Sequence, residues 1–210
     1  MIPKTIAKLI AQGENQQLDF KFEISSASKI AKSLVAFANS KGGKLLIGVK
    51  DNGVIAGIRT DEEIFMLESA AKLYSNPQIE FKTKFWDIEG KAILEVTIPK
   101  GKKQPYFAKD DNNTWQCYVR VEDKNIVANN IYLRYIKEKN NRNVRLQYKR
   151  QIEFILDYLN DFNTIDFNTF KQVAQIGDKQ AENILVDLMI LDIIEMKIEE
   201  KRNYFVLKLA

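Results

Sequence analysis

Asn39-Ser-Lys-Gly-Gly-Lys-Leu-Leu-Ile-Gly-Val-Lys-Asp-Asn-Gly53 places two glycines before an apolar run and an Asp-Asn-Gly turn after it. The reading is a helix end, a tight connection, a buried strand over Lys44–Lys50 and a turn. Val54–Ile58 is then expected to return as the hairpin partner of that strand. Upstream, Leu18-Asp-Phe-Lys-Phe22 alternates strictly, which predicts a strand with one wet face carrying Asp19, Lys21 and Glu23. Between the two strands Ile30, Leu34, Phe37 and Ala38 recur at helical spacing, with Ser25, Ser26 or Ser28 as the cap. A short helix over residues 5–12, stopped by Gly13, precedes them.

Downstream, Thr60 and Glu63 form a capping-box signature for a helix near residues 61–74. Residues 79–86 and 91–98 read as a hairpin around Glu89-Gly90. Pro99–Pro105 is a flexible basic loop, and strands at 106–109 and 115–121 flank Asp110–Asn113. Trp86 and Trp115 are expected to pack against the core or the sheet. A helix with Ile131, Leu133, Tyr135 and Ile136 closes a first domain, residues 1–139.

A polar stretch at 137–144 marks the boundary, and between Arg134 and Arg150 seven basic residues meet a single acid, Glu138. That run reads as a linker or solvated helix end, or else as a phosphate-facing strip. Residues 145–210 then give helix, helix, helix and hairpin, the order of a winged helix-turn-helix, with Asp178 capping the third helix. Lys179 on that helix, and Lys201 and Arg202 in the wing, are its candidate nucleic-acid contacts. The third helix as a whole is not basic, so dimerisation or partner binding competes with groove reading.

The chain has 210 residues, one cysteine and no histidine. Disulfides within the chain, histidine-based zinc sites and imidazole catalysis are thereby excluded. Any catalysis must use carboxylates, Lys, Tyr, Ser or an oxygen-bound hard metal. No signal peptide or membrane span is read, so a cytoplasmic location is expected. Residues 1–140 hold 22 Lys/Arg against 17 Asp/Glu, while residues 141–210 hold 10 against 11, so the positive excess lies in the first part. Lys41, Lys44 and Lys50 around the glycine turn, and Lys100, Lys102 and Lys103 beside Tyr106 and Phe107, are the candidate nucleic-acid contacts there.

Glu14 precedes the first strand, Asp19 lies within it, and Asp51 follows the second. If those strands are neighbours, the three carboxylates converge beside Lys21. Such a trio repels itself unless a cation neutralises it, and oxygen ligation suits Mg²⁺ or Mn²⁺. Read singly, Asp51 is a turn residue, Asp19 a solvent-face residue and Glu14 a helix terminus.

Glu14-x₄-Asp19-x-Lys21, Ala36-Phe-Ala-Asn-Ser-Lys-Gly-Gly43, Leu46-Ile-Gly-Val-Lys-Asp-Asn-Gly53 and Gly57 resemble the Schlafen AlbA-like domain, which is catalogued as DNA-binding or "divergent AAA". Ile98-Pro99, Gln104-Pro-Tyr106 and Tyr118-Val-Arg-Val121 extend the resemblance over residues 5–137. It implies an α+β fold with a small mixed, mostly antiparallel sheet and flanking helices. In animal Schlafens a Glu, Glu, Asp trio carries metal-dependent RNA cleavage. Glu14 and Asp51 match the outer members, but Asp19 is shorter by a methylene than the middle one, a shift large against a ligand tolerance of about 0.2 Å. Lys21 would serve as the phosphate or transition-state cation. Animal Schlafens also pair two such lobes, for which a homodimer can substitute here. Ser40-Lys-Gly-Gly-Lys-Leu45 lacks the full phosphate loop, so no ATPase is expected. Three functions stand after this reading: a DNA-binding transcriptional regulator, a metal-dependent endoribonuclease, and a protein-interaction module.

Overall fold

The computed structural model describes residues 3–58, 62–140, 143–144, 147 and 149–208. Thr60 of the expected capping box, Arg142 and Arg145 of the basic run and Leu209 of the last strand lie outside the described residues. The chain divides into two compact units, Met1–Ala128 and Asn129–Ala210.

The first unit runs α1 (Lys4–Gln12), β1 (Leu18–Lys21), α2 (Ala27–Asn39), β2 (Gly43–Ile47), α3 (Glu62–Lys72), β3 (Ser75–Asn76), β4 (Lys82–Ile88) and β5 (Lys91–Ile98). It continues through β6 (Phe107–Lys109), β7 (Trp115–Gln116), β8 (Tyr118–Val121) and β9 (Lys124–Val127). The main sheet has the order β1-β2-β5-β4. Only β1 and β2 are parallel, with Asp19 opposite Leu45; β2–β5 and β5–β4 are antiparallel. β4 and β5 are joined through Glu89 and Gly90, both at positive φ, as a two-residue hairpin turn of the primed type requires.

One face of the sheet supplies Leu45, Ile47, Leu94, Val96 and Ile98 to a core built around α2. The apolar stripe of α2 predicts one buried face, yet nearly the whole helix is buried. Its alanines let α3 and the strands β6, β8 and β9 close around the sides the sheet leaves free. The opposite sheet face is covered in part by α1, through Ile6, Leu9 and Ile10 against Leu18, Phe20, Leu46 and Ile93.

The expected hairpin partner of β2 does not form a strand. Both edges of β2 are already occupied, by β1 and β5. Gly48, at φ +94, turns the chain away, and its carbonyl accepts from Ala56 N and Gly57 N at 2.9 Å each. A single bridge between Val49 and Ile55 is what remains of the pairing. β9 is a strand the sequence pattern does not announce, paired with β8 beyond Glu122 at φ 55.

The second unit comprises α4 (Asn130–Glu138), α5 (Lys149–Phe162), α6 (Phe167–Ala174), α7 (Asp178–Ile190), β10 (Ile194–Ile198) and β11 (Asn203–Leu207). The helix expected to close the first domain therefore belongs to the second unit. Ile131 of α4 joins Ile152, Ile155, Phe170, Ile184, Leu188 and Phe205 in one core. Asp166 caps α6 by accepting from Asn168 N and Thr169 N, each at 2.9 Å. The cap of α7 is Gly177, not Asp178; Asp178 occupies the first turn, where its charge suits the helix dipole, and pairs with Lys171 at 2.6 Å. Ile165 and Phe205 exchange backbone bonds of 3.0 and 2.8 Å, adding a short rung beside the β10–β11 hairpin.

Candidate nucleic-acid interface

Asp19 points into the protein. It is 2% exposed, although strand alternation placed it on a wet face. Arg120 of β8, 4% exposed, accounts for the difference. Its Nη2 lies 3.3 Å from Asp19 Oδ1 and donates to Leu18 O at 3.2 Å. Its Nε donates to Asn15 O at 3.3 Å, its Nη1 to Asn125 Oδ1 at 3.1 Å, and the guanidinium sits 5.1 Å from the Phe37 ring centroid. The other Asp19 oxygen, Oδ2, takes Lys21 Nζ at 2.8 Å and Ser33 Oγ at 3.3 Å. A buried arginine is tolerable only with its donors satisfied in this way.

Glu14 completes the cluster. Its Oε1 accepts Phe20 N at 2.8 Å and lies 4.0 Å from Lys21 Nζ. Burial, followed by the hydrogen bond shared with Asp19, pushes the Glu14 carboxyl up to about 7 against the lowering effect of the Phe20 N–H. Burial also acts to raise Asp19. The hydrogen bond from Glu14 and the charges of Lys21 and Arg120 outweigh it and hold Asp19 below its ordinary value.

The structure thus brings Glu14, Asp19 and Lys21 together, while Asp51 is an exposed residue of the turn after β2. Among the described residues no three carboxylates are grouped to hold a metal ion. The donor set does not suit Mg²⁺ or Mn²⁺ either. Both Asp19 oxygens already serve protein cations and a hydroxyl, so a divalent ion would have to displace Arg120 or Lys21 from a nearly dry site. No catalytic step follows from this centre.

The basic residues are arranged differently. Gly42, at φ +75, lets the turn after α2 approach the 99–103 loop so closely that a Cβ there would lie 2.8 Å from Ile98 O and Lys100 N. Gly101 N and Gln104 Nε2 both donate to Ala38 O, at 2.8 and 2.9 Å. Buried Asn39 donates to Tyr106 O and Tyr118 O at 2.8 Å and accepts from Tyr106 N at 2.8 Å. The loop expected to be flexible is therefore tied to the end of α2. Lys41, Lys100, Lys102 and Lys103 consequently share one rim, all exposed, and no ion pair engages them among the described residues.

Other expected contacts fall elsewhere. Tyr106 is only 7% exposed and cannot stack on a base. Lys44 pairs with buried Glu95, and Lys50 stands at the far end of β2, 5.6 Å from the Phe22 ring. Trp86 is half-buried, but Trp115 is 42% exposed on two-residue β7, too short a strand to bury it. In the second unit Lys179 and Lys201 are exposed, whereas Arg202 pairs with Glu199 at 2.9 Å and lies 4.7 Å from the Tyr204 ring.

The sequence reading quoted Arg120 and Asn39 without giving either a role. The available signal was an arginine inside an apolar strand, Tyr118-Val-Arg-Val121, which cannot be buried without an acid.

A mixed α+β unit with a cation-braced acidic centre and a lysine rim is the class these observations define. The family model described as Schlafen, AlbA_2 matches residues 14–129, more than half of the chain, and the protein belongs to that family. No curated protein sequence matches it. Among solved structures it is similar to the DIP2311 protein of Corynebacterium diphtheriae at 14% identity and a TM-score of 0.49, over 97% of this chain and 38% of that one. It is also similar to the N-terminal domain of a RecG-related protein from Nitrosomonas europaea, at 23% identity and a TM-score of 0.40, over 60% of this chain and 92% of that domain. The chain therefore spans 38% of the length of the first of these structures.

Proposed function

We propose that this protein binds nucleic acid through the first unit and acts as a DNA-directed transcriptional regulator. The observation that carries the reading is the rim of Lys41, Lys100, Lys102 and Lys103, exposed and uncompensated on a loop held in place by Asn39 and Ala38. Surface charge without internal partners is free to replace the counterions of a phosphate backbone. Membership of the AlbA-like family supports the same reading.

The second unit is read as a winged helix-turn-helix, with α7 as the third helix and β10–β11 as the wing. Its first turn carries Asp178, already engaged with Lys171. Orienting the first unit or pairing two chains suits it better than supplying phosphate contacts. Ribonuclease chemistry through Glu14, Asp19 and Asp51 is not proposed, because Asp19 is committed to Arg120 and Lys21.

The test is fluorescence anisotropy with a labelled DNA duplex across a salt series. The expected result is a steep salt dependence whose slope falls by about 2 to 3 in Lys100→Gln/Lys102→Gln/Lys103→Gln. An unchanged slope in that variant would sink the rim as the contact surface. Cleavage of RNA with Mn²⁺, lost in Asp51→Asn, would restore the enzyme reading.

A further inference from the structure

Helix α5 carries charges and aromatic rings that its own unit does not use. Its bases, Lys149 and Arg150, stand in the first turn, and its acids, Glu153, Asp157 and Asp161, all follow them. That order is the reverse of what a helix dipole favours, which is acid at the start and base at the end. All of these side chains are exposed, and none has an ion pair among the described residues. Arg150, Phe154, Tyr158 and Phe162 recur every four residues and so form one ridge along the helix. Tyr158 packs against the core of the second unit, but Phe154 and Phe162 are not among the residues that do. Their rings lie against Tyr158 instead, with centroids 6.2 Å away for Phe154 and 4.5 Å for Phe162, and Phe162 is 62% exposed. Asp157 and Asp161 follow Arg150 at helical spacing and line the polar flank of this ridge.

The occupant that fits this face is a second copy of the same helix. A two-fold contact uses one patch on both sides, and a two-fold axis across the middle of the ridge makes the two helices antiparallel. Arg150 then meets the partner's Phe162 and Asp161, a cation set on a ring and beside a carboxylate. Phe154 meets the partner's Tyr158, and symmetry repeats both contacts. The basic start of each helix lies against the acidic end of the other, which offsets the conflict with the dipole at both ends. A parallel copy would set acid against acid. Three rings bury roughly 150–250 Å² each when fully covered. Their sum falls short of the ~800 Å² per partner of a stable interface, so the pairing is weak and depends on concentration.

We infer that two copies of the protein associate through α5, packed antiparallel along the ridge of Arg150, Phe154, Tyr158 and Phe162. The inference rests on the reading of the second unit as a pairing element, and it adds the surface, the partner and the direction of the two helices.

The experiment is sedimentation equilibrium of the full chain over a wide concentration range at low salt, with no nucleic acid present. A reversible monomer–dimer equilibrium is expected, weakened about tenfold or more in Phe162→Gln. Arg150→Glu leaves the helix acidic along this flank, and Asp157→Lys/Asp161→Lys leaves it basic. Each of these variants should stay monomeric alone, and an equimolar mixture of the two should recover the dimer, since opposite charges then meet at both ends. The exchanged residues are exposed, so an unchanged unfolding midpoint checks that each variant is folded. A chain that stays monomeric throughout, charge variants that dimerise as well as the unaltered chain, or a mixture that stays monomeric overturns the pairing. A monomeric chain that still binds DNA overturns it and leaves the lysine rim standing. A dimer that binds no nucleic acid overturns the functional reading and leaves the pairing.

Discussion

The acidic centre and the lysine rim lie in the same unit and use charge in opposite ways. At the centre each Asp19 oxygen has a partner, Arg120 is nearly solvent-free, and the network joins β1 to β8 and β9. At the rim four lysines are solvated and face no acid, while the backbone beneath them is anchored by Asn39 and Ala38. Charges that are mutually satisfied organise a fold. Charges left unsatisfied on a rigid support remain available to a partner.

The largest test of this contrast is Arg120→Ala. Removing one member of a buried pair strands the other, so a loss of about 3 to 5 kcal/mol in denaturant unfolding is expected. Asp19→Ala/Arg120→Ala should recover part of it, because neither charge is then left alone. A loss as small as that of an exposed ion pair would show that the centre does not organise the fold.

A smaller effect concerns pH. Glu14 is raised to about 7 from 4.5, so between those values the folded chain holds a proton the unfolded chain has released. Its contribution is fully present below pH 4.5 and disappears as the pH rises through about 7. Asp19 is lowered, so its contribution is present above 3.8 and is lost as the pH falls through its folded value. The unfolding midpoint should therefore drift down as neutrality is approached, and Glu14→Gln should flatten that arm. A midpoint that climbs over the same interval in both proteins would show that the shared proton is absent.

The smallest expected change in stability belongs to the rim. Lys100→Gln/Lys102→Gln/Lys103→Gln should shift unfolding by less than about 0.5 kcal/mol per residue while impairing binding, since solvated charges contribute little to folding. A large loss of stability would place these lysines in the same structural role as Arg120.

Much of the architecture was legible from local pattern. Leu18, Phe20, Ile30 and Leu34 repeat with strand and helix periods, and Glu89-Gly90 announces a two-residue turn. The return of Val54–Ile58 was misread because the turn signal is local, whereas occupancy of both edges of β2 is not. The helix at Ile131 was given to the wrong unit for the same reason. Its amphipathic stripe calls for a core without specifying whose. For the site, the structure brings Glu14, Asp19 and Lys21 near one another, whereas Asp51, the third carboxylate of the expected trio, stays exposed in its turn.

By itself the sequence determined most of the helices and of the main-sheet strands, the family, and which side chains carry charge, because these depend on residue type and short-range spacing. Only the tertiary structure decided which charges are consumed and which are left over. Arg120 reaches Asp19 across 101 positions of chain, a pairing that no periodicity encodes. Burial turns that contact from an exposed pair of little consequence into the brace of the first unit, because water no longer competes for either charge.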